Sequence, residues 1–196
     1  HLMIARIRPA AFLLLLTGCS RPGYKNPHIL ISTQTGDIEI ELFPEQAPAT
    51  VAAFLSYVDS GYYTNSSFYR VLKTDEFANP NNTGIIQGGI WQTNPALKLK
   101  LPGIKHETTK QSGLTHQSGT ISLARTDTGS ANTEFFICIG DQSPLDYGRR
   151  GTNDGEGFAA FGKVFEGMPV VRKIQAQNSH VDKFDEKIII YKIKRL

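Results

Sequence analysis

The sequence has little cysteine and no block of charge of one sign. Its 21 basic and 18 acidic residues give a formal net charge of +3 and are spread along the chain. Proteins that bind nucleic acid usually concentrate their basic residues on one face or in one segment. The even distribution excludes such an electrostatic footprint, and we expect no nucleic-acid partner.

The apolar run near the start of the chain is too short to cross a membrane as a helix. It covers residues 10–16, whereas a membrane-spanning helix needs roughly 20 residues. Arg6 and Arg8 precede it, and a basic flank followed by a short apolar stretch is typical of a secretory signal. We therefore interpret residues 1–19 as an address segment that is not part of the fold.

The apolar run ends in Leu-Thr-Gly-Cys at 16–19, which resembles the bacterial lipobox. The resemblance implies that Cys19 is lipidated on its sulfur and becomes the new N-terminus. An ordinary cleaved signal with a chance cysteine is the alternative. Residues 20–27 then form a predicted tether, about 25 Å long at roughly 3.3 Å per extended residue.

These features predict a protein held by its lipid in the periplasm or elsewhere outside the cytoplasm. Ser20, directly after the cysteine, resembles the outer-membrane sorting signal of Gram-negative bacteria. A lipidated Cys19 cannot also form a disulfide. The other cysteine, Cys138, lies in the apolar run 135–139, where a lone thiol is usually a small buried hydrophobic side chain. No disulfide is expected.

Glycine and proline are plentiful, with 18 and 10 residues. They imply many turns, which favours a fold of short strands over a helical bundle. Hydrophobic residues make up 40% and charged residues 20%, as in ordinary globular proteins. The length of 196 residues suits one domain with an additional terminal segment.

The pattern of apolar residues predicts eight short strands. The segment 37–42 alternates acidic with aliphatic residues, as a half-buried strand does. Thr35-Gly36 before it indicates a tight hairpin with the preceding strand. The predicted strands are 28–33, 37–42, 67–72, 84–87, 119–123, 134–139, 159–164 and 188–193.

Two helices are predicted, at 48–61 and 169–174. In the first, apolar residues recur every three or four positions and Gly61 is a natural C-terminal cap. Many strands with two helices argue for a closed antiparallel sheet with helical caps. No boundary follows the tether, so residues 28–196 are predicted to form one domain.

Five segments, in order, resemble the cyclophilin family of peptidyl-prolyl cis-trans isomerases. Phe-Tyr-Arg-Val at 68–71 and Ile-Gln-Gly-Gly at 86–89 are similar to the family's Phe-His-Arg-Val and Gln-Gly-Gly. Segments 119–125, 134–137 and 158–164 match three further family motifs. The resemblance covers about residues 28–196. It implies a mainly β fold, a closed eight-stranded antiparallel β-barrel capped by two α-helices.

The chemistry that this family carries out needs neither metal nor cofactor. An X–Pro bond isomerises slowly because its amide C–N bond has partial double-bond character, with a barrier of about 18–20 kcal/mol. A catalyst must favour the twisted amide, in which the proline nitrogen regains its lone pair. A fixed hydrogen-bond donor aimed at that nitrogen supplies this stabilisation, and arginine is suited to the task.

The resemblance implies a catalytic pair and a peptide-binding cleft. Arg70 matches the catalytic arginine, and Gln87 matches the glutamine that holds the substrate backbone and positions the arginine. Phe136 and Leu145 match two walls of the proline pocket. The implied cleft also includes Ala124 and Arg125, whose backbone groups run antiparallel to the substrate, and Glu134, Phe158 and Ile85.

Four positions depart from the family pattern. Glu134 replaces the commoner glutamine, and Phe158 stands at the pocket histidine. Pro144 stands at the tryptophan linked to tight cyclosporin binding, so weak cyclosporin binding is expected.

The fourth departure is at Gly84, which stands where the family has an aromatic residue, after an enlarged loop at 73–83. Phe77, Ile85 and Trp91 are the candidates to fill that wall.

Two polar clusters raise the question of a metal site. His106, Glu107 and His116 match no strong ligand spacing. Asn153 and the acidic residues Asp154 and Glu156 lack the EF-hand spacing. Both clusters are interpreted as structural polar groups, and no metal is expected.

The leading hypothesis is an isomerase that accelerates proline-limited folding of exported proteins, with Arg70 stabilising the twisted amide. Its partners are expected to be unfolded or flexible proline-containing polypeptides, and the protein is expected to be a monomer. The alternative is a proline-peptide-binding module or chaperone on the same fold, with weak or no catalysis.

Overall fold

The computed structural model describes residues 23–75 and 79–196. The predicted address segment with Cys19, the first residues of the tether and Phe77 lie outside the described residues. Within the described part, no helix has the length and apolar character needed to cross a membrane.

The described residues form one antiparallel sheet that closes on itself. Around the barrel the strands follow the order β1-β2-β7-β5-β6-β4-β3-β9, and β1 also pairs with β9 to complete the ring. The strands are β1 (His28–Thr33), β2 (Gly36–Leu42), β3 (Ser66–Lys73), β4 (Gly84–Gly89), β5 (Thr120–Leu123), β6 (Phe135–Ile139), β7 (Ala159–Glu166), β8 (Ser179–His180) and β9 (Lys183–Arg195).

The predicted eight-stranded barrel is confirmed, with one additional strand. β8 has two residues and pairs only with the start of β9, through Ser179 with Phe184 and His180 with Lys183. β9 begins at Lys183, earlier than the predicted 188, because its first half pairs with β8 and with β3. This extension brings the β8–β9 turn close to the functional site.

A side chain holds the first hairpin in register. Thr33 Oγ1 accepts hydrogen bonds from the backbone N–H groups of Thr35 and Gly36, at 3.0 and 3.2 Å. The turn therefore contains Gln34 and Thr35, and Gly36 pairs with Thr33 as the first residue of β2. The predicted tight hairpin is confirmed, with its turn one residue earlier.

Two helices pack on the barrel, as predicted. Helix α1 (Pro48–Asp59) contacts β7 and β9 through its apolar face, and helix α4 (Met168–Gln175) contacts β2, β3, β4 and β6. Gly61 lies just beyond α1 with a φ of +70°, and the N–H groups of Gly61 and Tyr62 bond to Val58 and Tyr57. This is a Schellman ending. Two short helices, α2 (Pro95–Lys100) and α3 (Thr109–Ser112), were not predicted.

A residue far along the chain caps the start of α1. The carboxylate of Glu107 accepts hydrogen bonds from the backbone N–H groups of Ala49 and Thr50 and from the Thr50 hydroxyl, at 3.0, 2.9 and 2.7 Å. A helix leaves its first N–H groups without internal partners, and its N-terminus favours negative charge. Glu107 therefore ties the segment before α3 to helix α1.

The last residues of the predicted tether contact the barrel. The ring of Tyr24 stacks on His28 with centroids 3.7 Å apart, and the Asn26 side chain donates to Glu41. The carbonyl group of Pro27 accepts from the N–H of Leu42.

Candidate active site

The alternation of side chains along β4 and β6 creates two apolar clusters. Ile86 of β4 and Phe135 and Ile137 of β6 point into the barrel core. Their neighbours Ile85 and Phe136 belong to a separate cluster on the outer face of the barrel. Because successive residues of a strand face opposite sides, one hydrophobic run supplies both the core and the floor of a surface site.

A cleft of about 590 Å³ lies over this outer cluster. All nine residues predicted for catalysis or substrate binding line it, although they come from six separate parts of the sequence. They are Arg70, Ile85, Gln87, Ala124, Arg125, Glu134, Phe136, Leu145 and Phe158. The structure thus brings the predicted residues together at one place. Their chemical roles remain predictions.

Arg70 is held at the edge of the cleft by two different partners. Its Nη1 lies 3.1 Å from Oε1 of Gln87, and its Nε lies 2.7 Å from Oδ2 of Asp182. Gln87 pairs with Arg70 across β3 and β4, which explains why the two side chains meet. These two bonds use two of the five N–H donors of the guanidinium group. The side chain is 37% exposed, so the group is fixed but open to a ligand.

Asp182 is a site residue that the sequence analysis missed. It lies in the two-residue turn between β8 and β9, after Val181, whose φ is +58°. The Asp182 carbonyl group accepts from the N–H of Val71, which fastens the turn to β3. The hydrogen bond from Arg70 lowers the pKa of Asp182, so the carboxylate stays ionised beside the arginine.

Tyr69 is the second residue that the sequence analysis missed. Its hydroxyl group donates to Oε2 of Glu134 at 2.6 Å and accepts from Nε2 of Gln87 at 3.3 Å. Burial raises the pKa of Tyr69, so the hydroxyl group keeps its proton. Its place beside Arg70 in the motif was visible in the sequence, but its partner Glu134 is 65 residues away.

Glu134 is buried, and its carboxylate is surrounded by donors. Besides Tyr69, it accepts from the backbone N–H groups of Ile90 and Trp91 and from the Thr133 hydroxyl. Burial raises the pKa of Glu134, although these hydrogen bonds act in the opposite direction. The carboxylate lies against Gly89, where a Cβ atom would overlap it.

The floor of the cleft is aromatic and apolar. Phe136 and Phe158 meet edge to face with centroids 5.3 Å apart, and Leu145 and Ala124 pack beside them. Phe136 is 2% exposed, so it forms the bottom of the site. An apolar floor next to a cationic hydrogen-bond donor suits a ligand that combines an apolar ring with one polar atom.

Arg125 serves a different purpose from Arg70. Its guanidinium group forms two hydrogen bonds to Asp154 and two to the carbonyl oxygen of Gly157. It also lies over the ring of Phe158, with its central carbon 5.4 Å from the ring centroid. Its side chain is 2% exposed, so Arg125 anchors the loop beside the cleft. The backbone N–H of the adjacent Ala124 bonds to the carbonyl group of Glu134.

Ile85 and Trp91 both line the cleft, and these were two of the three candidates for the wall that Gly84 leaves open. Gly84 has a φ of +141°, and a Cβ atom there would overlap the Leu72 carbonyl group. A side chain at this position is therefore excluded by the backbone. Trp91 is 45% exposed and carries the ammonium group of Lys98 over its ring.

The histidines and Glu107 that raised the question of a metal have partners within the protein. Glu107 caps helix α1, and His116 lies between Asp146 and Ser122, at 2.7 and 2.9 Å. His106 contacts the carbonyl group of Glu156 at 3.2 Å. Among the described residues, no group of three or more His, Cys, Asp or Glu side chains is placed to hold a metal ion.

Known proteins resemble this chain over nearly all of its described length. Residues 28–195 match the family described as cyclophilin type peptidyl-prolyl cis-trans isomerase/CLD. Peptidyl-prolyl cis-trans isomerase A of Dickeya dadantii is 35% identical over 184 residues, which cover 91% of this chain and 89% of that protein. Peptidyl-prolyl cis-trans isomerase B of Escherichia coli is 34% identical over 168 residues, covering 83% and 95%.

A solved structure shows the same architecture. The crystal structure of a cyclophilin type peptidyl-prolyl cis-trans isomerase from Cryptosporidium parvum superimposes with a TM-score of 0.67 at 25% identity, covering 87% of this chain and 97% of that chain. Together with the family match and the bacterial relatives, it shows that the chain belongs to the cyclophilin-type peptidyl-prolyl cis-trans isomerase family.

Proposed function

We propose that the protein catalyses prolyl isomerisation by directing the guanidinium group of Arg70 at the nitrogen of the twisted X–Pro amide. Twisting the amide removes its resonance, and the nitrogen lone pair becomes able to accept a hydrogen bond. A donor that is already fixed in place stabilises this state without further reorganisation. The arginine makes no covalent bond and takes up no proton.

One observation carries this proposal: Arg70 is held by both Gln87 and Asp182 at the edge of an apolar cleft. The two partners fix the plane of the guanidinium group while its remaining donors stay available. The apolar floor at Phe136 excludes water from the proline ring, which strengthens a hydrogen bond formed there. The fixed guanidinium group of Arg70 thus lies beside an apolar floor from which water is excluded.

The proposed substrate is a flexible polypeptide that contains proline. In this account the proline ring packs on Phe136 between Leu145 and Phe158, and Gln87 donates to a backbone carbonyl of the substrate. The cleft is open to solvent on one side, so a chain can lie across it without threading. This supports recognition of proline with little preference for its neighbours.

The proposed clients are exported proteins, and the proposed location is a membrane outside the cytoplasm. The basic flank, the apolar run and Leu-Thr-Gly-Cys at 16–19 support this part of the proposal. Mass spectrometry of protein extracted from membranes tests it. A lipid-modified Cys19 at the new N-terminus is the expected result, and an unmodified cysteine with the leader attached would contradict it.

The alternative function, a peptide-binding module with little catalysis, predicts a different effect of replacing Arg70. Lysine keeps the charge but loses the planar arrangement of donors. If Arg70 acts in the transition state, Arg70→Lys lowers kcat about a hundredfold and leaves KM nearly unchanged. If the residue only binds peptide, the wild-type protein catalyses weakly and Arg70→Lys reduces peptide affinity.

A further inference from the structure

The hydrogen bond between Tyr69 and Glu134 has a defined direction. Every partner of the Glu134 carboxyl group among residues 23–75 and 79–196 is a donor: the hydroxyl groups of Tyr69 and Thr133 and the N–H groups of Ile90 and Trp91. An ionised carboxylate can only accept hydrogen bonds, so this surrounding suits the ionised form. Tyr69 therefore donates its single hydroxyl hydrogen to Glu134.

This direction supports the orientation of the Gln87 amide that Arg70, which can only donate, also favours. Since the hydrogen of Tyr69 points to Glu134, the Tyr69 oxygen can only accept from Gln87. The amide nitrogen of Gln87 faces Tyr69 at 3.3 Å, and its carbonyl oxygen faces Nη1 of Arg70 at 3.1 Å. A reversed amide would present its NH2 group to the donors of Arg70 and its oxygen to a hydroxyl whose hydrogen is already used.

We infer that Glu134 and Tyr69 are positioning residues, which orient the side-chain amide of Gln87 for substrate binding. The inference rests on the proposed function, in which Gln87 donates to the substrate backbone. The amide nitrogen carries two hydrogens. One points to Tyr69, and the second has no partner within the described residues and is available to a peptide carbonyl group.

The substitution Glu134→Gln is expected to reverse this chain of hydrogen bonds. The side-chain oxygen of the introduced glutamine is needed by the N–H groups of Ile90 and Trp91, so its NH2 group faces the Tyr69 oxygen. The hydroxyl hydrogen of Tyr69 then turns toward the NH2 group of Gln87, which opposes the amide orientation that Arg70 requires. The substitution Tyr69→Phe removes the connection altogether.

A double-mutant cycle tests this connection. Tyr69→Phe and Glu134→Gln are each expected to lower kcat/KM about tenfold, and the double variant is also expected to be about tenfold less active than wild type. Independent effects would multiply to about a hundredfold. Tyr191→Phe, which removes an exposed hydroxyl group outside the cleft, is the matched control and is expected to keep full activity. Multiplicative losses would overturn the inference.

The pH profile supplies a readout that loss of packing would not change. A protonated Glu134 can donate to Tyr69 as glutamine does, so wild-type kcat/KM is expected to fall as the pH drops below the pKa of Glu134, which burial raises. Tyr69→Phe is expected to show no such fall, because it lacks the connection to Gln87. The same fall in Tyr69→Phe would overturn the inference.

Other charged groups near Glu134 do not account for such a profile. Burial raises the pKa of Tyr63 and of Tyr69, and the hydrogen bond from Arg70 lowers the pKa of Asp182, so each shift moves the titration of these groups away from that of Glu134. Burial lowers the pKa of His116, which stacks on Phe136. Tyr69→Phe leaves His116 unchanged, so a fall in activity caused by His116 would persist in that variant. The titratable and charged side chains around Glu134 and the cleft are those of Tyr63, Tyr69, Arg70, Lys98, Arg125, His116, Asp146 and Asp182.

Arg70→Ala separates failure of this inference from failure of the proposed function. If Arg70→Ala is inactive while Tyr69→Phe and Glu134→Gln are fully active, only the positioning role is wrong. If Arg70→Ala keeps wild-type activity, the proposed function fails first. Unfolding temperatures confirm that each variant is folded, and Tyr69→Phe keeps the test decisive if Glu134→Gln is unstable.

Discussion

The Nε atom of Arg70 lies 2.7 Å from Oδ2 of Asp182, while Nη1 of the same guanidinium group bonds to Gln87. The arginine is therefore held through two nitrogens by residues from two different hairpins. The β3–β4 hairpin supplies Arg70 and Gln87, and the β8–β9 turn supplies Asp182.

Asp182→Asn is expected to lower kcat/KM about fivefold, which corresponds to about 1 kcal/mol for a partly exposed ion pair. Stability should change by less than about 0.5 kcal/mol. Initial rates of cis-to-trans conversion measure the effect. Asp59→Asn is a matched control, because Asp59 also pairs with an arginine, Arg195, but lies outside the cleft. Equal activities of the two variants would show that Asp182 does not support the activity of Arg70.

Glu107→Ala is expected to destabilise the protein by about 2 kcal/mol, because it leaves the first N–H groups of helix α1 without their acceptor. Urea unfolding measures the loss. The exposed Glu186→Ala on β9 removes the same side chain without such contacts and should be nearly neutral. A similar midpoint for both variants would show that the helix start does not depend on Glu107.

His116 is expected to make the fold less stable at low pH. Burial lowers the pKa of His116, although the hydrogen bond with Asp146 opposes this. The unfolded chain then binds a proton more readily than the folded protein, so the contribution of His116 is complete above about pH 6.5 and is lost as the pH falls below it. The loss is limited to about 1.4 kcal/mol per pH unit.

Unfolding free energies measured at several pH values, for wild type and His116→Gln, test this dependence. The variant should lose less stability between about pH 7 and pH 5. His180→Gln, at an exposed position on β8, should behave as wild type. Identical pH dependence in all three proteins would contradict the prediction.

Cyclosporin is expected to inhibit the wild-type protein weakly. Pro144 is exposed in the short turn Ser143–Leu145, and in the family pattern this position carries a tryptophan. Pro144→Trp is expected to strengthen inhibition at least about tenfold, since a buried aromatic contact contributes more than about 1.4 kcal/mol. Tight inhibition of the wild-type protein would show that the alignment at this position is wrong.

The barrel was largely predictable from the sequence because its strands either alternate apolar with polar residues or are apolar throughout. The hairpin, the two main helices and all eight barrel strands follow from local patterns and turn residues. β8 was missed because two residues carry no periodicity. The early start of β9 was missed because Lys183, Asp185, Glu186 and Lys187 give no apolar alternation.

The site was only partly predictable, for a reason of sequence distance. Arg70 and Gln87 belong to neighbouring motifs, whereas Asp182 is 112 residues from Arg70. Tyr69 lies beside Arg70 in one motif and Glu134 in another, and the two side chains contact each other. Nothing local in either motif indicates that contact, which depends on how β3, β4 and β6 align.

Stabilisation of the twisted prolyl amide by Arg70 is tested by the rate of cis-to-trans conversion of an Ala-Xaa-Pro-Phe peptide. Wild type and folded Arg70→Ala are compared, with peptide affinity measured on the same samples. We expect strong acceleration by wild type and a loss by a factor of about a hundred or more in the variant, which corresponds to about 2.7 kcal/mol or more. Equal acceleration by the two proteins would contradict it.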